Sequence, residues 1–149
     1  PEFYNAYMQL GLIYSKQKDD TAIQYFENAI RLKEGSREAH YAMAYHYQRK
    51  KEFNKAILEY KKMIALNPKD HEVFFNVGHC YIGLDSLNKA YNHFDLATKI
   101  QPQYAGAYYM KGNISEGLGN NAAALKNYQQ ALNMMPDDST ILEAVKRVQ

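Results

Sequence analysis

Apolar and aromatic side chains recur along this chain at helical spacing. Residues 4–17 carry Tyr7, Leu10, Gly11 and Tyr14 on one helical face. A second amphipathic stretch, about 19–33, presents Ala22, Tyr25, Phe26, Ala29 and Ile30 on one stripe, with Asp19 and Asp20 supplying negative charge at its start. The same sizes then return at intervals of 34 residues. His40, Met43, Ala44, Tyr47, Ala56, Tyr60, Met63 and Pro68 are followed by Phe74, Val77, Gly78, Tyr81, Ala90, Phe94, Ala97 and Pro102. Tyr108, Lys111, Gly112, Ser115, Ala124, Tyr128, Ala131 and Pro136 complete the series. The first interval is 33, because the first connection is one residue shorter. A fixed period of this length marks a repeat array.

Each period predicts a helical hairpin. Helices are expected over 37–50 and 53–66, 71–84 and 87–100, and 105–118 and 121–134, with a final helix over 139–149. Gly35-Ser36, Asn67-Pro68-Lys69-Asp70, Gln101-Pro102 and Met135-Pro136 separate them, with Ser36, Asp70 and Ser86 as expected N-caps. Strand-period alternation is absent, so the fold class is all-α. Gly11, Ala44, Gly78 and Gly112 sit in mid-helix, where close approach of a second helix is expected, with Ala22, Ala56, Ala90 and Ala124 facing them. Tyr7, His40, Phe74 and Tyr108 are expected to fill the space between one hairpin and the next. A hairpin alone leaves an apolar face open, and stacking covers it.

Composition narrows the function. With 149 residues and 46% apolar content the chain can bury a sizeable core, here read as a single array over 1–149 with repeats at about 4–36, 37–70, 71–104 and 105–138. A formal charge of +2 without a basic stripe implies neither nucleic acid nor an anionic membrane as partner. The longest basic run, Arg49-Lys50-Lys51, falls at a turn. Cys80 is the sole cysteine, which excludes an internal disulfide, and neither a metal site nor a cofactor motif is apparent. The chain contains no run of 18 apolar residues and no signal peptide. Pro1-Glu2-Phe3 reads as a cloning remnant, which would make the chain a fragment of a larger protein and leaves its compartment open.

The repeated pattern resembles the tetratricopeptide repeat: aromatic, Leu-Gly and Tyr in a first helix, then Ala, aromatic, Ala and Pro in a second. It covers residues 4–138 in four units, with 139–149 as a capping helix. His40 stands for an aromatic, Lys111 for an aliphatic, Ser115 for a tyrosine and Glu34 for the first closing proline. The interior of the fourth unit is therefore expected to be looser. The resemblance implies an α-solenoid, a right-handed superhelix whose first helices line a concave groove, and a role in protein–protein interaction. The candidate groove residues are Met8, Gln9, Leu12, Tyr41, Tyr45, Phe75, Asn76, His79, Tyr109, Met110 and Asn113. Large aromatics on a solvent face mark partner sites, and the amides of Gln9, Asn76 and Asn113 suit the backbone of an extended peptide. The plainer alternative is that these rings fold down and complete the core.

Three other functions compete with that groove. Some members of the family grip the C-terminal carboxylates of chaperones with lysines, asparagines and an arginine. The corresponding places here hold Met8, Leu12, Ala42, Glu72 and Asn76, so a chaperone tail is not the expected ligand. Catalysis is not expected, because His79 has no nucleophile or oriented carboxylate assigned beside it. Self-assembly is the remaining alternative, since the helix over 4–17 has no preceding hairpin to cover it.

Overall fold

The computed structural model describes residues 2–149. Among the described residues the chain forms nine α-helices and no strand. They fall into two compact units, one ending at Lys69 and the other running from Asp70 to Gln149.

The first unit holds α1 (Glu2–Lys16), α2 (Thr21–Leu32), α3 (Arg37–Arg49) and α4 (Phe53–Leu66). Helices α1 and α2 pair as one hairpin, α3 and α4 as the next, and α2 lies against α3. Met8, Ala22, Phe26, Ala29, Ala39 and Met43 form the core, with Tyr47 packed against it. Ser36 caps α3 through its hydroxyl, which accepts from the Ala39 amide at 3.2 Å. At the start of α2 the capping carboxylate is Asp19, which accepts from the Thr21 amide at 2.8 Å. The Asp20 carboxylate is drawn away to Lys50, 2.5 Å distant, and to His46. His46 is fully buried, with Nδ1 3.1 Å from the Ser15 hydroxyl and Nε2 3.2 Å from Asp20. The α1–α2 connection is thereby pinned to α3.

The second unit holds α5 (His71–Gly83), α6 (Leu87–Ile100), α7 (Ala105–Gly117), α8 (Asn121–Met134) and α9 (Ser139–Val148). Each helix packs on the next in order. Asp70, Asn120 and Asp138 cap α5, α8 and α9 by accepting from the amide three residues on. Ser86 does not cap α6: its hydroxyl turns back and donates to the Leu84 carbonyl at 3.4 Å. Ile141, Ala144, Val145 and Val148 of α9 are buried, and its opposite face carries Glu143, Lys146 and Arg147. That polar face suits a terminal helix.

All four hairpins turn the same way. The second residue after the first helix adopts a left-handed conformation in each: Lys18, Lys51, Asp85 and Gly119, with φ of 58°, 63°, 53° and 76°. Only the fourth hairpin places glycine there, the residue for which this backbone carries no Cβ strain.

Close approach of paired helices takes a different form from the expected one. A Cβ on Gly11 or Gly78 would lie 2.5 or 2.7 Å from a ring carbon of Phe26 or Phe94, and one on Gly112 would run into the Tyr128 ring. The glycines thus make room for the buried aromatic of the second helix, not for the alanine four residues before it. Those alanines, Ala22, Ala56, Ala90 and Ala124, are fully buried in their own right.

The residues at the ring positions also reach within their own hairpins. Tyr7 meets Tyr25, His40 meets Glu59 and Phe74 meets His93, each on the second helix of its own hairpin. The fourth repeat is not loosened by Lys111. Its ammonium lies 2.6 Å from Asp95 and within 5.3 and 5.4 Å of the Tyr91 and Tyr108 ring centres. Its stem takes the aliphatic place while its charge finds a carboxylate and two π-faces.

Candidate functional site

Helices α1 and α3 supply the candidate face of the first unit. Gln9 and Leu12 are exposed, Leu12 by 46%. Tyr41 is half-buried and edges against Tyr60 of α4 with ring centres 6.1 Å apart. Tyr45, one turn on, is 47% exposed and stacks over Tyr41 at 6.5 Å and 12°. The guanidinium of Arg37 lies over the other ring of the pair at 5.6 Å. This is an open aromatic step with a cation at one end. Met8 does not belong to it: 4% exposed, it sits in the core against α2 and α3. Its thioether faces inward because it shares the helical stripe of Gly11 and Ser15, both buried.

In the second unit the candidate residues lie on α5 and α7. Phe75 is half-buried, with His79 at 4.6 Å, Tyr104 at 5.0 Å and Phe94 at 5.3 Å, all centre to centre. His79 in turn edges on Phe94 at 5.4 Å. Burial holds the His79 imidazole below its ordinary pKa, so it is neutral at pH 7 and serves as a flat aromatic surface with hydrogen-bonding nitrogens. Tyr109 leans on Tyr128 of α8 at 5.6 Å. Met110 and Asn76 are half-buried. Phe75 and Tyr109 therefore have a packing duty, like Tyr41: each lies against the aromatic of the following helix, Tyr60, Phe94 or Tyr128.

Asn113 belongs to a network. The Tyr128 hydroxyl points its proton between Glu116 Oε2 at 2.6 Å and Asn113 Oδ1 at 2.7 Å. Arg147 of α9 donates to Glu116 from Nε at 2.5 Å and from Nη2 at 2.9 Å. The Arg147 hydrogen bond, then that of Tyr128, pulls the Glu116 carboxyl down to about 2. Burial first, then the carboxylate, pushes the Tyr128 phenol up. The chain spacing of these residues offers no hint of the network, because Arg147 lies 31 residues from its partner on the capping helix.

Chemistry beyond contact is sparse. Burial pushes the Cys80 thiol up to about 12, so it stays protonated and weakly nucleophilic. Among the described residues no group of three His, Cys, Asp or Glu side chains is placed to hold a metal ion. No helix among them is long and apolar enough to cross a membrane.

Comparison with known proteins agrees with this architecture. Family models described as tetratricopeptide repeat match residues 37–70 and, in a second version, residues 4–35, 71–104 and 105–138. A U-box domain-containing protein of Oryza sativa subsp. japonica is 25% identical over 128 residues, covering 86% of this chain and 16% of its own length. The Hsp70-Hsp90 organizing protein of Triticum aestivum is 24% identical over 99 residues, covering 66% of this chain and 17% of its own. The chain thus spans about a sixth of these relatives. Among solved structures, MamA superposes with a TM-score of 0.83 at 21% identity, over 99% of this chain and 81% of that one. The first tetratricopeptide domain of Spaghetti (RPAP3), solved with an HSP90 peptide, gives 0.69 at 20% identity, over 73% of this chain and 86% of that one. The shared fold is the all-α solenoid. By these matches over most of its length, the chain belongs to the tetratricopeptide-repeat family, whose modules serve protein–protein interaction.

Proposed function

We propose that each unit of this chain binds an extended segment of a partner protein on the faces of its first helices, α1 and α3 in the first unit and α5 and α7 in the second. The observation that carries the proposal is the Tyr41–Tyr45 stack, which leaves Tyr45 47% exposed on α3, while Leu12 of α1 is 46% exposed. Exposed aromatics gathered on one face are where binding energy concentrates. In the second unit Phe75, His79, Tyr109 and Met110 carry chemistry of the same kind, half-buried, as is Asn76. The ligand is neutral or aromatic-anchored. Met8 is buried and Leu12 apolar where a carboxylate clamp needs polar or cationic groups, so the HSP90 peptide of the RPAP3 neighbour is not the model for it.

The test is affinity capture from the source cell on immobilised chain, compared with a Leu12→Ala/Tyr45→Ala double variant. These two side chains are open to solvent, so the variant folds normally. Loss of the captured protein supports the face; equal capture by both removes it. A variant at Phe75 would be less informative, because that ring also packs on Phe94.

Self-assembly is the second reading, and one feature favours it. Ala6, Leu10 and Ile13 follow one another at helical spacing on the side of α1 turned away from α2 and α3, and all are exposed, with Phe3 at 74%. Light scattering over a range of concentrations separates the two. A dimer lost in Leu10→Gln/Ile13→Gln but kept in the Tyr45 variant assigns that side of α1 to self-contact.

A further inference from the structure

The second unit carries a surface groove opposite in kind to the apolar faces of the first helices. It opens about 580 Å³ between α6 and α8, over the C-terminal half of α7. Asn88, Tyr91 and Asn92 form one wall, Ala123 the other, and Ser115 lies in the floor.

The repeat itself explains why the groove is there. Tyr14, Tyr47, Tyr81 and Ser115 occupy one repeat position. Tyr47 packs against the α2–α3 core, with the Lys55 ammonium 5.4 Å from its ring centre. Tyr81 lies under Lys89 at 5.6 Å and against His93 at 5.0 Å. In the fourth repeat all three members shrink together: tyrosine to Ser115, lysine to Ala123 and histidine to Asn127. A single shortened side chain would let its neighbours close in, but here ring, cation and supporting ring are all replaced, so the space stays open. The walls are stiffened around it. Tyr91 is held by the Lys111 ammonium, and the Ser115 hydroxyl is spent on the Lys111 carbonyl at 2.9 Å.

We propose that this groove is a docking site for a tyrosine side chain of a partner protein. The chain supplies its own template for the occupant, since the same place is filled by a phenol ring in the other three repeats. The ring would lie on Tyr91 and over Ser115, with its hydroxyl among the rim amides of Asn88 and Asn92, which can donate to it or accept from it. The site is separate from the first-helix faces and does not depend on them.

The probe is N-acetyl-tyrosinamide, titrated into the intact chain and followed through backbone amide resonances, with N-acetyl-leucinamide as comparison. The expected result is saturable shifts at Ser115, Ala123 and Asn92, with a Kd on the order of 1 mM for a ligand of this size. Leucinamide should bind at least about fivefold more weakly, having no hydroxyl for the amides. Ser115→Tyr, which restores the repeat's own ring, should abolish the shifts. Asn92→Trp, on the exposed rim, should do so without touching the floor, and decides the matter if the first variant does not fold. Absent shifts, shifts confined to α1 and α3, or undiminished binding in the Asn92 variant would each overturn the proposal. Shifts at Ser115 that grow with protein concentration alone would assign the groove to a second copy and overturn it too.

Discussion

The Lys111 ammonium lies 2.6 Å from an Asp95 oxygen, joining α7 to α6 across a position where the other repeats use an apolar side chain. Burial alone pushes the Asp95 carboxyl up, but the hydrogen bonds from Lys111 and Lys99 outweigh it and the net direction is down. The two ways of disturbing this pair have opposite outcomes. Asp95→Asn leaves a buried cation without its counter-charge and should cost about 2–4 kcal/mol. Lys111→Leu removes charge and demand together, matches the repeat pattern, and should change stability by less than about 1 kcal/mol in either direction. Urea denaturation of both variants checks this, and equal losses would refute the asymmetry.

Gly78→Ala gives a clean measure of the helix–ring contact. In an exposed helix the exchange should stabilise by about 1 kcal/mol through helix propensity. Here the new methyl would stand 2.7 Å from the fully buried Phe94 ring, so a net loss of about 1–3 kcal/mol is expected from overpacking. A raised melting temperature would show that the ring yields freely.

The hairpin turns offer a gain. Lys51 holds a left-handed backbone at φ 63° and its side chain is exposed. Lys51→Gly should relieve about 1 kcal/mol of strain, less what the freer unfolded chain regains, for a net stabilisation of up to about 0.5 kcal/mol. The same change at Lys61, exposed in the interior of α4, should destabilise by about 1 kcal/mol, and the contrast in melting temperature is the readout.

Acid should weaken the second unit through Glu116. Its folded pKa of about 2 lies below the ordinary 4.5. Above 4.5 the carboxylate is charged in both states and its full contribution is present. Below that value the unfolded chain takes up the proton first, so stability falls as pH drops toward about 2. Arg147 is more than half exposed, so solvent screening keeps the effect small. Arg147→Met should flatten the dependence of the melting temperature on pH between those values; an unchanged slope would place the acid sensitivity elsewhere.

The hairpins were legible in the sequence because each relies on local signals. Spacing of apolar residues, closing prolines and acidic or serine caps placed the helix ends within two residues of those observed for most elements, such as 53–66 and α4. What the sequence left unseen depends on atoms far apart in the chain. Ser86 has the right side chain for a cap, yet its hydroxyl finds a nearer carbonyl. Gly78 was legible as a close approach, but the atom approached is a ring sixteen residues on, since a long side chain points along the helix as well as out of it. Lys111 looks like a defect until Asp95, Tyr91 and Tyr108 are brought around it. Of the candidate binding residues, Tyr45 and Leu12 lie open as their position suggested, while Met8 turned inward with Gly11.

Cys80 gives the chain a clock of its own. The thiol is fully enclosed in α5, and burial keeps it protonated. A thiol reagent can reach it only when the second unit opens. Because the sequence contains no other cysteine, the whole alkylation signal comes from that one event. Its rate, followed against pH, against Asp95→Asn, or in the presence of a captured partner, reports how often this half of the array breathes, with no probe residue introduced.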